Sequence, residues 1–366
     1  MNTRSEQLKR VLIHPATLIV IAWLAAVISR LIKNGDVYGL NYNLFQPDGA
    51  LYHAYTLHLQ GSSWSESARL VNQFFLEKIG SSYLGDTITP TTQMVIYTRP
   101  LLSLLSLPFV YLVGQYGMLA VPTLSLLVTG AVLYFVGKKV NRPYLAVALF
   151  FILTLSTSVN RWMISDLTDG LLVALIAIIY LLLYYSKTRV LLPIFVILAL
   201  LTRPSGPLLA ALLLPFALAY RKATIYIGIV ISLLGTLVLA FVSPEAAGTQ
   251  TSGSYTVYQR IQDFALHGVK VLVVEFGQLF VMDRALFVFI VLSTVVALFT
   301  WKNVYSQSHL ALLISSFAMG AWNGALGVNF RYQLPTIIAG ALVILINSGA
   351  IEIQARKLLG IPPQNR

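Results

Sequence analysis

RPLLSLLSLPFVYLVG, residues 99–114, is apolar enough to enter a membrane but carries Pro100 and Pro108. A helix that crosses the hydrocarbon core needs ~20 predominantly apolar residues. This run falls short of that. Its prolines and its charged head, Arg99, suit an interfacial or re-entrant helix better than a full crossing. Whether it crosses sets the side of every turn that follows.

The rest of the chain has the composition of a membrane protein. Of its 366 residues, 57% are hydrophobic and 10% charged, against ~45–50% and ~25% in a soluble domain. Apolar runs fall at roughly 11–31, 118–137, 144–160, 167–185, 190–201, 206–220, 223–243, 285–300, 308–326 and 333–350. The first lacks a small-residue cleavage site and reads as a retained helix, not a signal peptide. There is no cysteine, which excludes disulfides, thiol nucleophiles and Cys-ligated zinc.

Lys and Arg collect on the cytoplasmic side of membrane proteins. Suppose that 99–114 does not cross and that the N-terminus is cytoplasmic. The cytoplasmic pieces then hold 14 of the 25 basic residues, including Lys138, Lys139, Arg142, Lys187, Arg189, Arg221 and Lys222, against Glu6 and Glu352 alone among the 13 acids. The whole net charge of +12 lies on that side. If 99–114 crossed, the turns at 137–142 and 186–189 would change sides and the bias would collapse. The expectation is an all-α polytopic protein of about ten spans, one domain over 1–366, with both termini cytoplasmic. The basic excess then points to anionic membrane lipid, not nucleic acid.

Two outer segments are long. Residues 32–117 contain SSWSESARLVNQFFLEKIG, which opens with a Ser63–Glu66 capping box. Ala68, Val71, Phe74 and Phe75 follow near one face of the predicted helix. Residues 244–284 hold a second mixed stretch. Both read as helices resting on the outer membrane surface. Residues 190–220 form a pair of short apolar runs joined at LTRPSGP, where two prolines and a glycine interrupt the helix. A broken, charged turn at membrane depth is tolerated where it lines a cavity.

With this threading, the remaining charges gather at the outer ends of the spans: Asp36, Asp48, Arg99, Arg161, Asp166, Asp169, Arg203 and Arg331. Ionisable groups at membrane depth are costly and default to functional candidates. Carboxylates can take a proton, and arginines can hold a phosphate with paired N–H groups. Simpler readings exist for each. Asp48 could cap the helix that begins at Gly49, Asp166 and Asp169 could cap a span, and Arg99, Arg161 and Arg331 could anchor at the interface. Asp36 fits a solvated turn. His53 and His58 are five apart, off the spacing that would put both on one helix face. A metal held by Asp48 and His53 stays open, as does metal use altogether. No glycine-rich phosphate loop follows a strand.

The order of these features resembles the GT-C superfamily of polytopic glycosyltransferases, which includes protein O-mannosyltransferases and aminoarabinose transferases. The segments that carry the resemblance are DGALYHAYTLHL (48–59), YTRPLLSLLSLP (97–108), GKKVNRP (137–143), SDLTDGLLVALIAIIYLLL (165–183), LALLTRPSGPLLAALLLPFAL (198–218) and FRYQLP (330–335). The resemblance covers essentially the whole chain. It implies inverting transfer of a sugar from a polyprenyl-phosphate donor to a lipid, glycan or protein acceptor at the outer face of the plasma membrane. It puts the general base at Asp48, further acids at Asp169 or Asp166, and the donor phosphate at Arg203 and Arg331. Tyr52, His53 and Arg99 would flank the substrate. The chain departs from the pattern in its first loop: several relatives carry paired acids there, whereas Gly49 follows Asp48. Two rival readings remain, a transporter or lipid flippase and a silent scaffold in a glycan assembly complex. The outer gathering of charge and the lack of a visible repeat weigh against the transporter.

Overall fold

The computed structural model describes residues 13–32, 36–37, 40–41, 44–242, 283–322, 331 and 333–358, with scattered positions between 262 and 281. Most of the expected second outer segment, 244–284, lies outside them.

Helices dominate, as the long apolar runs require: a chain in hydrocarbon must satisfy its own backbone. The first described helix is α1 (Pro15–Ile32). A two-residue antiparallel ladder, β1 (Asp36–Val37) with β2 (Leu40–Asn41), follows it, and the protein is all-helical in class, as expected. Four described helices lie between 44 and 117: α2 (Gly49–Leu59), α3 (Trp64–Ile79), α4 (Pro90–Tyr97) and α5 (Leu101–Val113). Then come α6 (Ala120–Lys139), α7 (Pro143–Leu155), α8 (Thr157–Met163) and α9 (Asp169–Tyr184). These are followed by α10 (Leu192–Thr202), α11 (Gly206–Tyr220), α12 (Ala223–Val242), α13 (Arg284–Phe299), α14 (Val304–Trp322) and α15 (Leu334–Leu358).

Among the described residues, three stretches are long and apolar enough to cross a membrane: Pro15–Ile32, Leu101–Lys139 and Leu334–Gln354. A fourth is reached if α7 and α8, bent by 81° at their junction, count as one span. The apolar helices Asp169–Tyr184, Gly206–Tyr220, Ala223–Val238 and Arg284–Phe299 are shorter. A helix of 15 residues rises about 23 Å, less than the ~30 Å hydrocarbon core.

The 39-residue stretch Leu101–Lys139 is not one straight helix. It breaks at Gly114, whose φ of 63° favours glycine, and a 3₁₀ turn at Gly114–Leu119 joins the halves. Gly117 in that turn packs so closely on α5 that an added Cβ would lie 2.4 Å from the Phe109 carbonyl carbon. The 13 residues of α5 rise only about 20 Å, and Tyr111, Leu112 and Val113 at its end are exposed.

The capping box forms in part. Ser63 Oγ accepts from the Glu66 N–H at 3.2 Å, but the Glu66 carboxylate turns to Arg69. Ala68, Val71 and Phe75 are fully buried, and Phe74 is half-buried. This face points inward, with Phe74 and Phe75 packed on Phe45 and His53. That differs from the expected helix resting its apolar face on lipid: the aromatic residues of the first loop supply the apolar partner instead.

The two ends of the bundle carry different ion pairs. Arg331 stands just before α15, and Glu352 near its end pairs with Arg142 in the α6–α7 turn. Eighteen residues separate Leu334 from Glu352, about 27 Å of helix and close to the ~30 Å core. At the α9–α10 turn, the Arg189 guanidinium lies 4.1 Å over the Tyr220 ring, joining that turn to the end of α11.

Candidate functional site

Four charged side chains from four distant segments meet at the Arg331 end. Asp169, the first residue of α9, is almost wholly buried, its side chain 2% exposed. Its Oδ1 accepts from Arg203 Nη1 at 2.7 Å. Its Oδ2 accepts from Arg331 Nε at 3.1 Å and Nη2 at 2.9 Å. Arg331 Nη1 then donates to Asp48 Oδ2 at 2.8 Å. The chain of contacts runs Arg203–Asp169–Arg331–Asp48, two charges of each sign. It also runs outward: the arginine side chains are 13% and 15% exposed, and Asp48 is 66% exposed.

Each segment delivers its residue for a local reason. Pro204 follows Arg203 and biases it away from helical backbone, so α10 ends at Thr202 with Arg203 extended. Gly206 restarts the chain as α11, so close to α12 that a Cβ would fall 1.8 Å from Thr236 Oγ1. Asp48 stands at the N-cap position of α2 but makes no side-chain cap bond. Its carboxylate is committed to Arg331 instead. The Arg331 guanidinium also lies 4.9 Å from the Trp162 ring. Burial disfavours its charge, but the carboxylates of Asp169 and Asp48 more than compensate and raise its pKa above the ordinary arginine value.

Asp166 goes elsewhere. Its carboxylate is fully buried, accepts the Gln46 N–H at 2.8 Å through Oδ1, and sets Oδ2 3.2 Å from His53 Nε2. That last approach does not meet the geometry of a hydrogen bond. The Asp166 N–H donates to the Leu44 carbonyl. Burial raises the Asp166 pKa, with His53 and the Gln46 N–H pulling the other way. Asp166 therefore fastens the first loop to the α8–α9 turn. Gly49 is part of this fastening: an added Cβ would lie 2.0 Å from Asp166 Oδ2. The Asp166 carboxylate thus fills the volume that a side chain at 49 would occupy.

The flanking candidates are more enclosed. His53 is buried among Phe45, Phe74 and Phe75, with Nδ1 3.2 Å from Gln115 Oε1. Tyr52 is buried, and its carbonyl accepts from Ser103 and Thr56 hydroxyls. Arg99 is half-buried after α4, its N–H closing a turn on Ile96. Asp36 pairs through its backbone with Asn41 in the small ladder. Among the described residues no group of three or more His, Asp or Glu side chains is placed to hold a metal ion.

Asp283, a buried acid that ties two helices, escaped the sequence reading. Asp283 Oδ1 accepts the Leu286 N–H and caps its own helix, α13. Oδ2 accepts from Ser156 Oγ at 2.6 Å and the Ser158 N–H at 2.8 Å, so it also holds the start of α8. Its place directly before an apolar helix was the available signal.

No protein-family model matches the chain, and neither a curated protein nor a solved structure does. The fold and the site define a class only: a helical protein whose long apolar helices are consistent with an integral membrane protein, with a four-charge cluster at one end of its bundle.

Proposed function

We propose that this protein is an inverting membrane glycosyltransferase of about ten spans, with both termini cytoplasmic and the four-charge cluster facing outward. It moves a sugar from a polyprenyl-phosphate donor to an acceptor hydroxyl. The observation that carries the reading is the Arg331 guanidinium, shared between the buried carboxylate of Asp169 and the exposed one of Asp48.

In this reading Asp169 is a positioning residue. Its two oxygens already accept three N–H groups, so it holds both arginines at fixed places and does not meet the substrate. Asp166, buried against His53, positions the loop that bears Asp48. The donor phosphate competes with Asp48 for Arg331. Arriving phosphate takes the guanidinium, and Asp48, exposed and held by that single contact, is released as a base. The acceptor O–H then gives its proton to Asp48 while its oxygen forms a bond to the anomeric carbon. The bond from that carbon to the phosphate oxygen breaks, and its electron pair leaves on the lipid phosphate, where Arg331 and Arg203 stabilise the growing charge. One displacement with one base inverts the anomeric centre. Donor binding and base release become one event, which disfavours loss of the sugar to water before the donor is seated.

The scaffold reading draws on one feature of the same site: four charges that neutralise each other also make a structural tie. The experiment is purification in lipid and assay with a panel of polyprenyl-phosphate sugars, comparing wild type with Asp48→Asn. Transfer by wild type and its loss in the variant supports the enzyme. Equal transfer by both removes Asp48 as base, and no transfer by wild type with any donor favours the scaffold.

A further inference from the structure

The Asp166–His53 contact stands apart from the four-charge cluster, and a third residue, Gln115, decides how many protons it holds. Gln115 sits in the 3₁₀ turn Gly114–Leu119. The break at Gly114 and the close packing of Gly117 on α5 hold that turn in place. Gln115 Nε2 donates to the Leu70 carbonyl of α3 at 3.3 Å, and Oε1 lies 3.2 Å from His53 Nδ1. A carbonyl only accepts, so turning the amide round would set two oxygens against each other. Oε1 therefore faces His53, and the nitrogen opposite it has to donate. Nδ1 carries a proton.

The other ring nitrogen is then an acceptor in the neutral imidazole. Nε2 faces Asp166 Oδ2 at 3.2 Å, with both side chains fully buried. Among the described residues neither atom has a hydrogen-bond partner. A bare nitrogen and a carboxylate oxygen would oppose each other in a space closed to solvent, and one proton between them removes the conflict. An imidazolium facing a carboxylate would supply it, but would bury two charges among Phe45, Phe74 and Phe75. A neutral acid facing a neutral imidazole buries none. Asp166 Oδ1 already accepts the Gln46 N–H, so Oδ2 is the oxygen that takes the proton. Burial acts in the same direction and raises the Asp166 pKa. The charged groups of the neighbouring segments are engaged elsewhere: Asp169 with Arg203 and Arg331, Asp48 with Arg331, and Arg161 over the Trp162 ring. Tyr116 packs on Phe45 and Phe74.

We propose that Gln115 is a positioning residue: it fixes His53 as the Nδ1–H tautomer and thereby keeps Asp166 a neutral acid at neutral pH, against the loop that carries Asp48. An ionised Asp166 would set a third carboxylate against Gly49, beside Asp48, and unbalance a cluster of two cations and two anions. The tautomer stands on the geometry of Gln115; its effect on Asp48 alone rests on the sugar-transfer reading.

The test uses the full chain in lipid with isotope-labelled histidine, read by solid-state nitrogen NMR, in which protonated and bare ring nitrogens give separate signals. The His53 signals are those lost in His53→Gln or, should that variant fail to fold, those in contact with selectively labelled phenylalanine. Wild type at neutral pH should show His53 with Nδ1 protonated and Nε2 bare. Asp166→Asn should remove a carboxylic-acid C=O stretch from the infrared spectrum. Gln115→Leu leaves a buried N–H unmet, which is costly, so the ring proton should move to Nε2 and the same infrared band should be lost. Wild-type His53 with Nε2 protonated, alone or together with Nδ1, overturns the proposal, as does an unchanged tautomer in Gln115→Leu. None of these readouts uses sugar transfer, so the proposal and that reading fail separately.

Discussion

Asp48 stands at the N-cap of α2 yet does not cap it; its carboxylate instead accepts a hydrogen bond from Arg331, 283 residues further along the chain. An exposed ion pair contributes about 0–1 kcal/mol, so this contact is a weak reason to keep an acid there for stability. Asp48→Asn should therefore shift unfolding in detergent by less than about 1 kcal/mol. If Asp48 is the base, the same variant should lower sugar transfer by about 10²–10⁴-fold. A large loss of stability together with activity would make Asp48 structural.

Asp169 should behave in the opposite way. Removing its charge leaves two mostly buried guanidiniums side by side, and breaking a buried pair costs about 3–5 kcal/mol. The arginines keep some exposure, which places Asp169→Asn toward the lower end of that range. Adding Arg203→Gln should recover part of the loss, because it removes one of the stranded charges. Thermal unfolding of the two single variants and the double variant measures the coupling directly. Strictly additive losses would mean that the contact stores no interaction energy.

Gly49 offers a steric test of the loop fastening. Gly49→Ala sets a methyl 2.0 Å from Asp166 Oδ2, and overpacking of this kind costs about 1–3 kcal/mol. Asp166→Ala makes room for that methyl. Gly49→Ala should thus cost far less in the Asp166→Ala background than alone. An equal cost in both backgrounds would show that the carboxylate does not occupy this space in solution.

Much of this arrangement was readable from the chain, and the limits have physical causes. Charges are scarce, so Asp48, Asp169, Arg203 and Arg331 stood out, and the breaks at Pro204 and Gly206 located one turn. Which acid joined the arginines was not readable. Asp166 and Asp169 are three apart, and only contacts 34 and 162 residues away separate their roles. Gly49 read only as the start of a helix because its reason, a carboxylate from another turn, leaves no trace in local sequence. The inward packing of α3 was missed for a similar cause: a helix periodicity shows that a face is apolar, not whether lipid or protein covers it. Asp283 was overlooked because its surroundings read as an interfacial stretch, which hid the cap.

Asp166 also makes stability depend on pH. Its carboxyl pKa is raised mainly by burial, with the facing His53 and the Gln46 N–H opposing that rise. A carboxyl in an unfolded chain titrates near ~3.9. Between that value and the higher folded one, the folded state holds more protons than the unfolded state, so stability falls as pH rises through this window. Asp166→Asn carries no titrating proton and keeps an acceptor for Gln46. The stability of the variant relative to wild type should thus improve as pH rises above ~4 and then level off. Unfolding curves for both proteins across the acid range would show it, and a relative stability that worsens with rising pH would mean that His53 outweighs burial and holds the carboxylate ionised.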